Sequence, residues 1–191
     1  MKPIALAAFA AAALISGAAN AAVYTVFAQG NSSSGGTGLA TLTLASGQAF
    51  NLSVDPGDLW NAGPLPRWSN ANGLTGNLLA TGTDDSGQPA GTLIGQDFGL
   101  WSQNGLSAAY GSLVGELGGV YQVLGTSFSG PAWNAGTLHL YYWDSNNFDN
   151  TDSIAVAVTN VPEPATWTLA IAGFGMAGAM LRRRRRPRAT A

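Results

Sequence analysis

Ala40–Val54 reads ATLTLASGQAFNLSV. Apolar residues alternate with Thr, Asn and Ser in ATLTLA (Ala40–Ala45) and again in AFNLSV (Ala49–Val54), with Ser46-Gly47-Gln48 between the two runs. A side-chain period of two marks a half-buried strand, and a short Gly-containing break between two such runs predicts a β-hairpin. Outward from it, similar runs recur: VYTVFA (Val23–Ala28), GSLVGELGG (Gly111–Gly119), VYQVLG (Val120–Gly125), GTLHLYYWD (Gly136–Asp144) and DSIAVAV (Asp152–Val158). Turn-rich segments separate them. QGNSSSGGTG (Gln29–Gly38) predicts a flexible loop, DPGD (Asp55–Asp58) a turn, and Asn61–Gly76, with Pro64 and Pro66, a long loop. No segment of the body combines helical periodicity with caps. The expectation is an all-β domain over residues 22–160, a β-sandwich of the jelly-roll kind.

Composition narrows the function. Between residues 22 and 160 there are nine carboxylates, Asp55, Asp58, Asp84, Asp85, Asp97, Glu116, Asp144, Asp149 and Asp152, against a single arginine, Arg67, a net of −8. Such a body cannot neutralise phosphates, so nucleic acid is excluded as its partner, and divalent cations are natural ones. Cysteine is absent. A domain outside the cytoplasm that lacks disulfides must be held by its core, by metal, or by both. Its tryptophans, among them Trp60, Trp68, Trp101, Trp133 and Trp143, supply material for that core.

Both ends are built differently from the body. Lys2, the apolar run IALAAFAAAALISGAA and Ala19-Asn20-Ala21 are the basic start, apolar segment and small-residue cut site of a secretory signal peptide spanning 1–21, with signal peptidase as the expected partner. At the other end, Ala165–Leu181 holds no charge over 17 residues. That length is at the lower edge for a transmembrane helix. Gly173, Gly175 and Gly178 make it a small-residue helix, and Arg182, Arg183, Arg184, Arg185, Arg186 and Arg188 follow. Arginines flanking a span stay cytoplasmic, which puts the body outside the inner membrane. Val161-Pro162-Glu163-Pro164, the span and the arginine cluster, in that order over 161–188, resemble the PEP-CTERM sorting signal of Gram-negative bacteria. The resemblance implies processing by an exosortase near Pro-Glu-Pro, passage through the inner membrane, and delivery to the cell surface or beyond, in a setting of exopolysaccharide and biofilm matrix. Two prolines keep that segment extended, as a processing enzyme requires.

WDSNNFDNTDS (Trp143–Ser153) is the stretch richest in oxygen donors: Asp144, Asn146, Asn147, Asp149, Asn150 and Asp152. Calcium takes six to eight such oxygens, whereas one His and no Cys disfavour zinc or iron. The spacing is equally that of a polar hairpin loop closed by Asx-turns, and by itself it does not choose. The sequence from about Gly47 to Val158 resembles the calcium-dependent galactose-binding lectins of the PA-IL type, through GTLHLYYWD with its Asn-rich loop, Pro56-Gly57-Asp58, and Trp60-Asn61-Ala62-Gly63-Pro64. The resemblance implies calcium held by Asp144, Asp149 and Asn150, by carbonyls of the same loop around Asn146 and Asn147, and by the carbonyl of Ala62. It further implies a sugar bound on that calcium at Asp144, Asp149 and Asn150, with Trp68 available for stacking. Two departures stand out: the loop is shorter here, and Arg67–Gly76 (RWSNANGLTG) lacks the His and Gln that help choose the sugar in those lectins.

His139 lies with Thr137 and Tyr141 on the face of its strand opposite Leu138 and Leu140, and reads as a half-exposed strand residue. No nucleophile-elbow pattern or convergent acid–base set is present, so no enzyme is expected. The sequence thus predicts an exported, exosortase-sorted protein with a calcium-dependent carbohydrate-binding module that has polysaccharide as its partner. The alternative is a structural envelope or biofilm matrix protein in which calcium, if bound, only stiffens a loop.

Overall fold

A computed structural model describes residues 21–161 and 166–184. The body and the C-terminal segment fall into separate compact units and are taken in turn. The body is all-β. In chain order its strands are β1 (Ala21–Phe27), β2 (Leu39–Leu44), β3 (Ala49–Val54), β4 (Trp60–Asn61), β5 (Trp68–Ser69), β6 (Leu78–Leu79), β7 (Leu93–Gly95), β8 (Leu100–Gln103), β9 (Leu106–Ala109), β10 (Leu113–Leu117), β11 (Val120–Val123), β12 (Ser127–Pro131), β13 (Gly136–Tyr142) and β14 (Ser153–Asn160). Two four-stranded antiparallel sheets carry the architecture, in the orders β1-β14-β3-β12 and β11-β10-β13-β2. Three two-stranded ribbons, β4-β5, β6-β7 and β8-β9, fill the span between β3 and β10.

The period of two does what the sequence predicts. In β3 Phe50, Leu52 and Val54 are buried while Ala49, Asn51 and Ser53 face out. In β14 the inward set is Ile154, Val156 and Val158, and in β13 it is Leu138, Leu140 and Tyr142. These inward faces of both sheets meet in one core with Val26, Leu44, Leu113 and Leu117. Each such side chain removed from water contributes about 1.5–3 kcal/mol. Phe50 also stacks on Phe128 with centroids 4.8 Å apart. His139 is half-buried on the outer face, as its alternation implies, and its Nδ1 lies 3.1 Å from Glu116 Oε2 on the neighbouring strand.

The predicted hairpin does not form. β2 pairs with β13 and β3 with β14 and β12, so the runs on either side of Ser46-Gly47-Gln48 belong to different sheets. Gly47, at φ +80°, lets the chain turn from one sheet into the other, and its N–H donates to Ala132 O (2.8 Å). Alternation dictates which side chains are buried, and both strands do present an apolar face. It carries no information on whether those faces lie side by side or across the core.

The long loop is more ordered than its prolines suggest. Trp60 is fully buried, donates its indole N–H to Gly111 O (2.8 Å) and meets Tyr142 edge-on with centroids 4.5 Å apart. Trp68, Leu59, Ala80 and Ile94 form a second small core. The β8-β9 ribbon turns at Asn104-Gly105 (φ 50° and 81°), the pair that a tight two-residue hairpin turn demands. It lays Trp101 and Ala108 against Trp143, whose indole N–H donates to Trp101 O (2.9 Å).

In the second unit, Thr166–Arg184 is a 19-residue helix, α1. Ile171, Phe174, Met176 and Met180 are exposed on it. Among the described residues no helix is long and apolar enough to cross a membrane. Three glycines and the arginines that continue the helix dilute the apolar character of the predicted span. Arg182, Arg183 and Arg184 fall in its last turn. Residues 1–20 of the signal peptide expected over 1–21, Pro162, Glu163, Pro164, and Arg185, Arg186 and Arg188 lie outside the described residues. Of the sorting motif, Val161 is described: its N–H donates to Ala49 O (2.9 Å).

Candidate functional site

Asp144 follows the end of β13 and is 3 % exposed. Tyr142 and Trp143, which lead into it, are both fully buried. Asp144 Oδ1 accepts the Ser145 N–H (2.6 Å), while its Oδ2 is buried and takes no hydrogen bond from the protein. Asn150, 2 % exposed, sends its amide N–H groups to Ala28 O (3.3 Å) and Asn146 O (3.1 Å), which leaves its buried Oδ1 without a donor. The Tyr142 hydroxyl is a third buried polar group without a partner. Burial pushes the Asp144 carboxyl above its ordinary 3.8, and the charge of Asp149 pushes the same way. The Ser145 N–H and the Asn150 side chain oppose the rise. Because both Asn150 amide protons are committed to carbonyls, Asp144 Oδ2 still lacks a donor. An unmatched buried acceptor typically costs about 1–3 kcal/mol, and several together need a proton or a cation to offset them.

Asp144, Ser145 and Asn146 line a cavity of about 210 Å³ together with Ala62, Arg67, Phe98 and Tyr110. The far wall is the β4-β5 connection. Gly63, at φ +118°, is what lets Asp149 come close: a Cβ there would collide with Asp149 Oδ2. Arg67 Nη1 lies 3.5 Å from Asp149 Oδ2 and 3.5 Å from Ala62 O, and the guanidinium sits 4.7 Å above the Phe98 ring. Phe98 in turn meets Tyr110 edge-on at 5.7 Å.

The fold therefore brings Ala62, from the β4-β5 connection, to the loop that carries Asp144, Asp149 and Asn150. It treats the remaining residues differently. Asn146 lines the cavity, but its side-chain oxygen accepts the Phe148 N–H (3.1 Å) and its carbonyl accepts from Ser32 and Asn150. Asn147 is turned toward Gly35 and donates to Gln29 O (3.5 Å). Trp68 is 8 % exposed, belongs to the second core and borders a different cleft, of about 180 Å³, with Asn70, Asn72 and Leu74. The aromatic rings at the Asp144 cavity are Phe98 and Tyr110.

The Gln29–Gly38 segment corrects the sequence expectation. Instead of a flexible loop it is a brace. Ser32 is fully buried and donates to Asn146 O (3.3 Å), Ser33 donates its hydroxyl to Asp144 O (3.0 Å), and the Asp144 N–H donates back to Ser33 Oγ (3.1 Å). Asn31 binds the segment shut by accepting the Phe27 N–H (2.8 Å) and donating to Thr37 O (2.8 Å). Serines read as loop composition; nothing local announces partners more than 100 residues away.

The residues present suit calcium. They offer a buried carboxylate oxygen and a buried amide oxygen without donors, a second carboxylate, and a backbone carbonyl, all hard oxygen ligands. Among the described residues no group of three or more His, Cys, Asp or Glu converges on one point, so amide and carbonyl oxygens would have to complete such a site.

Comparison with known proteins bears first on the C-terminus. Residues 160–186 match the PEP-CTERM protein-sorting motif. The chain carries this signal, which implies export and an exosortase as its processing partner. Among solved structures, one described as "EclA N-terminal domain; PllA-like lectin" is similar at 19% identity and a TM-score of 0.44, over 73% of this chain and 95% of that one. No curated protein matches the chain.

Proposed function

We propose that this is an exported, exosortase-sorted protein of the cell surface or extracellular matrix. Its jelly-roll body binds carbohydrate with the help of calcium held at Ala62, Asp144, Asp149 and Asn150. The reading is one of binding and not of catalysis. The apolar tail and its arginines serve as a transient inner-membrane anchor with the C-terminus in the cytoplasm. The observation that carries the site is the pair of buried acceptors without donors, Asp144 Oδ2 and Asn150 Oδ1. Bound there, calcium would supply positive charge and free coordination positions of the kind that paired sugar hydroxyls occupy. The protein's own contribution is to hold that loop still. The Ser32 and Ser33 contacts fix the Asp144 backbone, and Phe98 and Tyr110 offer apolar faces at the cavity rim.

The test is thermal melting of the full-length chain in detergent, with calcium and with chelator, beside binding of the same protein to immobilised polysaccharides. Calcium should raise Tm, and calcium-dependent retention on a glycan should accompany it; Asp144→Ala should lose both. A second reading, a structural matrix protein, is favoured by the pairing of Arg67 with Asp149, which already supplies one cation to the loop. A calcium-dependent Tm without glycan retention selects it. Absence of any calcium effect on Tm removes the metal from both readings.

A further inference from the structure

We infer that Arg67 is the resident cation of the Asp144–Asp149 cavity, and that a divalent cation enters only by displacing its guanidinium. The inference rests on the calcium reading above and concerns what controls it. Arg67 is the one lysine or arginine of a body with nine carboxylates, and it is placed at this cavity. Its Nη1 stands within 3.5 Å of both Asp149 Oδ2 and Ala62 O, two of the four oxygen donors assigned to calcium. At that distance these are long contacts, and the ion pair is about one-third exposed on each side. The guanidinium is therefore held weakly enough to leave. Its contact with the Phe98 face, 4.7 Å from Cζ, does not depend on Asp149, so the guanidinium can pivot on that ring as its long contacts to Asp149 and Ala62 break. A divalent ion and a guanidinium cannot share Asp149 and Ala62 at close range in a half-buried cavity, since like charges there repel strongly. Asp144 Oδ2 and Asn150 Oδ1, which Arg67 does not reach in this arrangement, remain for the entering ion. Arg67 thus sets a threshold: the site fills when calcium is abundant, and falls back on its own arginine when calcium is scarce.

The experiment is calcium titration of the full-length chain in detergent by calorimetry, with Tm as a parallel readout, for wild type, Arg67→Gln and Arg67→Lys. Removing the competing charge in Arg67→Gln should tighten calcium binding by about tenfold or more. Arg67→Lys, which keeps the competing charge, should tighten calcium binding much less than Arg67→Gln does. Magnesium, which demands a tighter octahedron, should gain less than calcium from Arg67→Gln. Equal or weaker calcium affinity in Arg67→Gln overturns the inference while leaving the calcium site standing. If Arg67→Lys binds as tightly as Arg67→Gln, charge is not the barrier and the inference likewise falls. If no variant binds calcium, the metal reading fails, and with it the role of Arg67.

Discussion

At the scale of single residues, Asp144 carries a buried carboxylate at a cost to the folded state. Its carboxyl is buried, one oxygen lacks a donor, and its pKa lies above the ordinary 3.8. A folded-state value above the unfolded one means that the native chain binds more protons between the two. Stability therefore falls as pH rises through that window. Asp84 runs the other way. Hydrogen bonds from Ser86 and Thr81 hold its carboxyl at about 2. Its contribution is present above 3.8 and is lost as pH falls toward 2. The consequence for Asp144→Asn is specific. Asparagine keeps the Oδ1 acceptor for the Ser145 N–H and removes the buried charge. In chelator it should stabilise the chain by about 1–2 kcal/mol at neutral pH, with the gain shrinking to nothing as acid protonates the wild-type carboxyl. Urea unfolding across the acidic range measures this. A variant less stable than wild type at neutral pH would show that Asp144 is already satisfied without metal.

At the scale of elements, the ribbons between β3 and β10 decide how the outer tryptophans are covered. The β8-β9 ribbon hangs on Asn104-Gly105, with Gly105 at φ +81°. Gly105→Ala places a Cβ in a left-handed conformation and should cost about 1 kcal/mol, while the near-ultraviolet signal of Trp101 and Trp143 weakens as the ribbon frays. A variant that keeps full stability and that signal would mean the turn does not need its glycine. The sequence reading passes over Asn104-Gly105, and strands of two to four residues are too short for alternation to register, so β4 to β9 went unread. The longer strands were legible because Phe50, Leu52 and Val54, or Leu138, Leu140 and Tyr142, repeat often enough to define a face. Their partners were not, as the separation of β2 from β3 shows. The site divides in the same way. Asp144, Asp149 and Asn150 stand close together in one loop and could be read; Arg67, 82 residues from Asp149, could not be, since only the closed sandwich brings it near.

At the scale of the whole molecule, both ends of the body belong to one sheet. β1 starts at Ala21 opposite Thr159, next to the end of β14. The pairings of β14 with β1 and β3 run out to Thr159 and Asn160, and Val161 adds one last bond to Ala49 O. Every residue of the main core lies between Val26 and Val158. Processing after Val161 should therefore cost the sandwich nothing: a chain ending there should melt within about 2 °C of the full-length chain. A chain ending at Val156 loses fully buried Val158 and the ladder through Asn160. Burial of one valine contributes about 1.5–3 kcal/mol, and in a domain of this size each kcal/mol moves Tm by roughly 2–4 °C, so a drop on the order of 5–10 °C is expected. Differential scanning calorimetry of the two truncations separates these cases. A large loss already at Val161 would mean that the tail helps to hold the body together, and a sorting signal that is cut away could not be doing that.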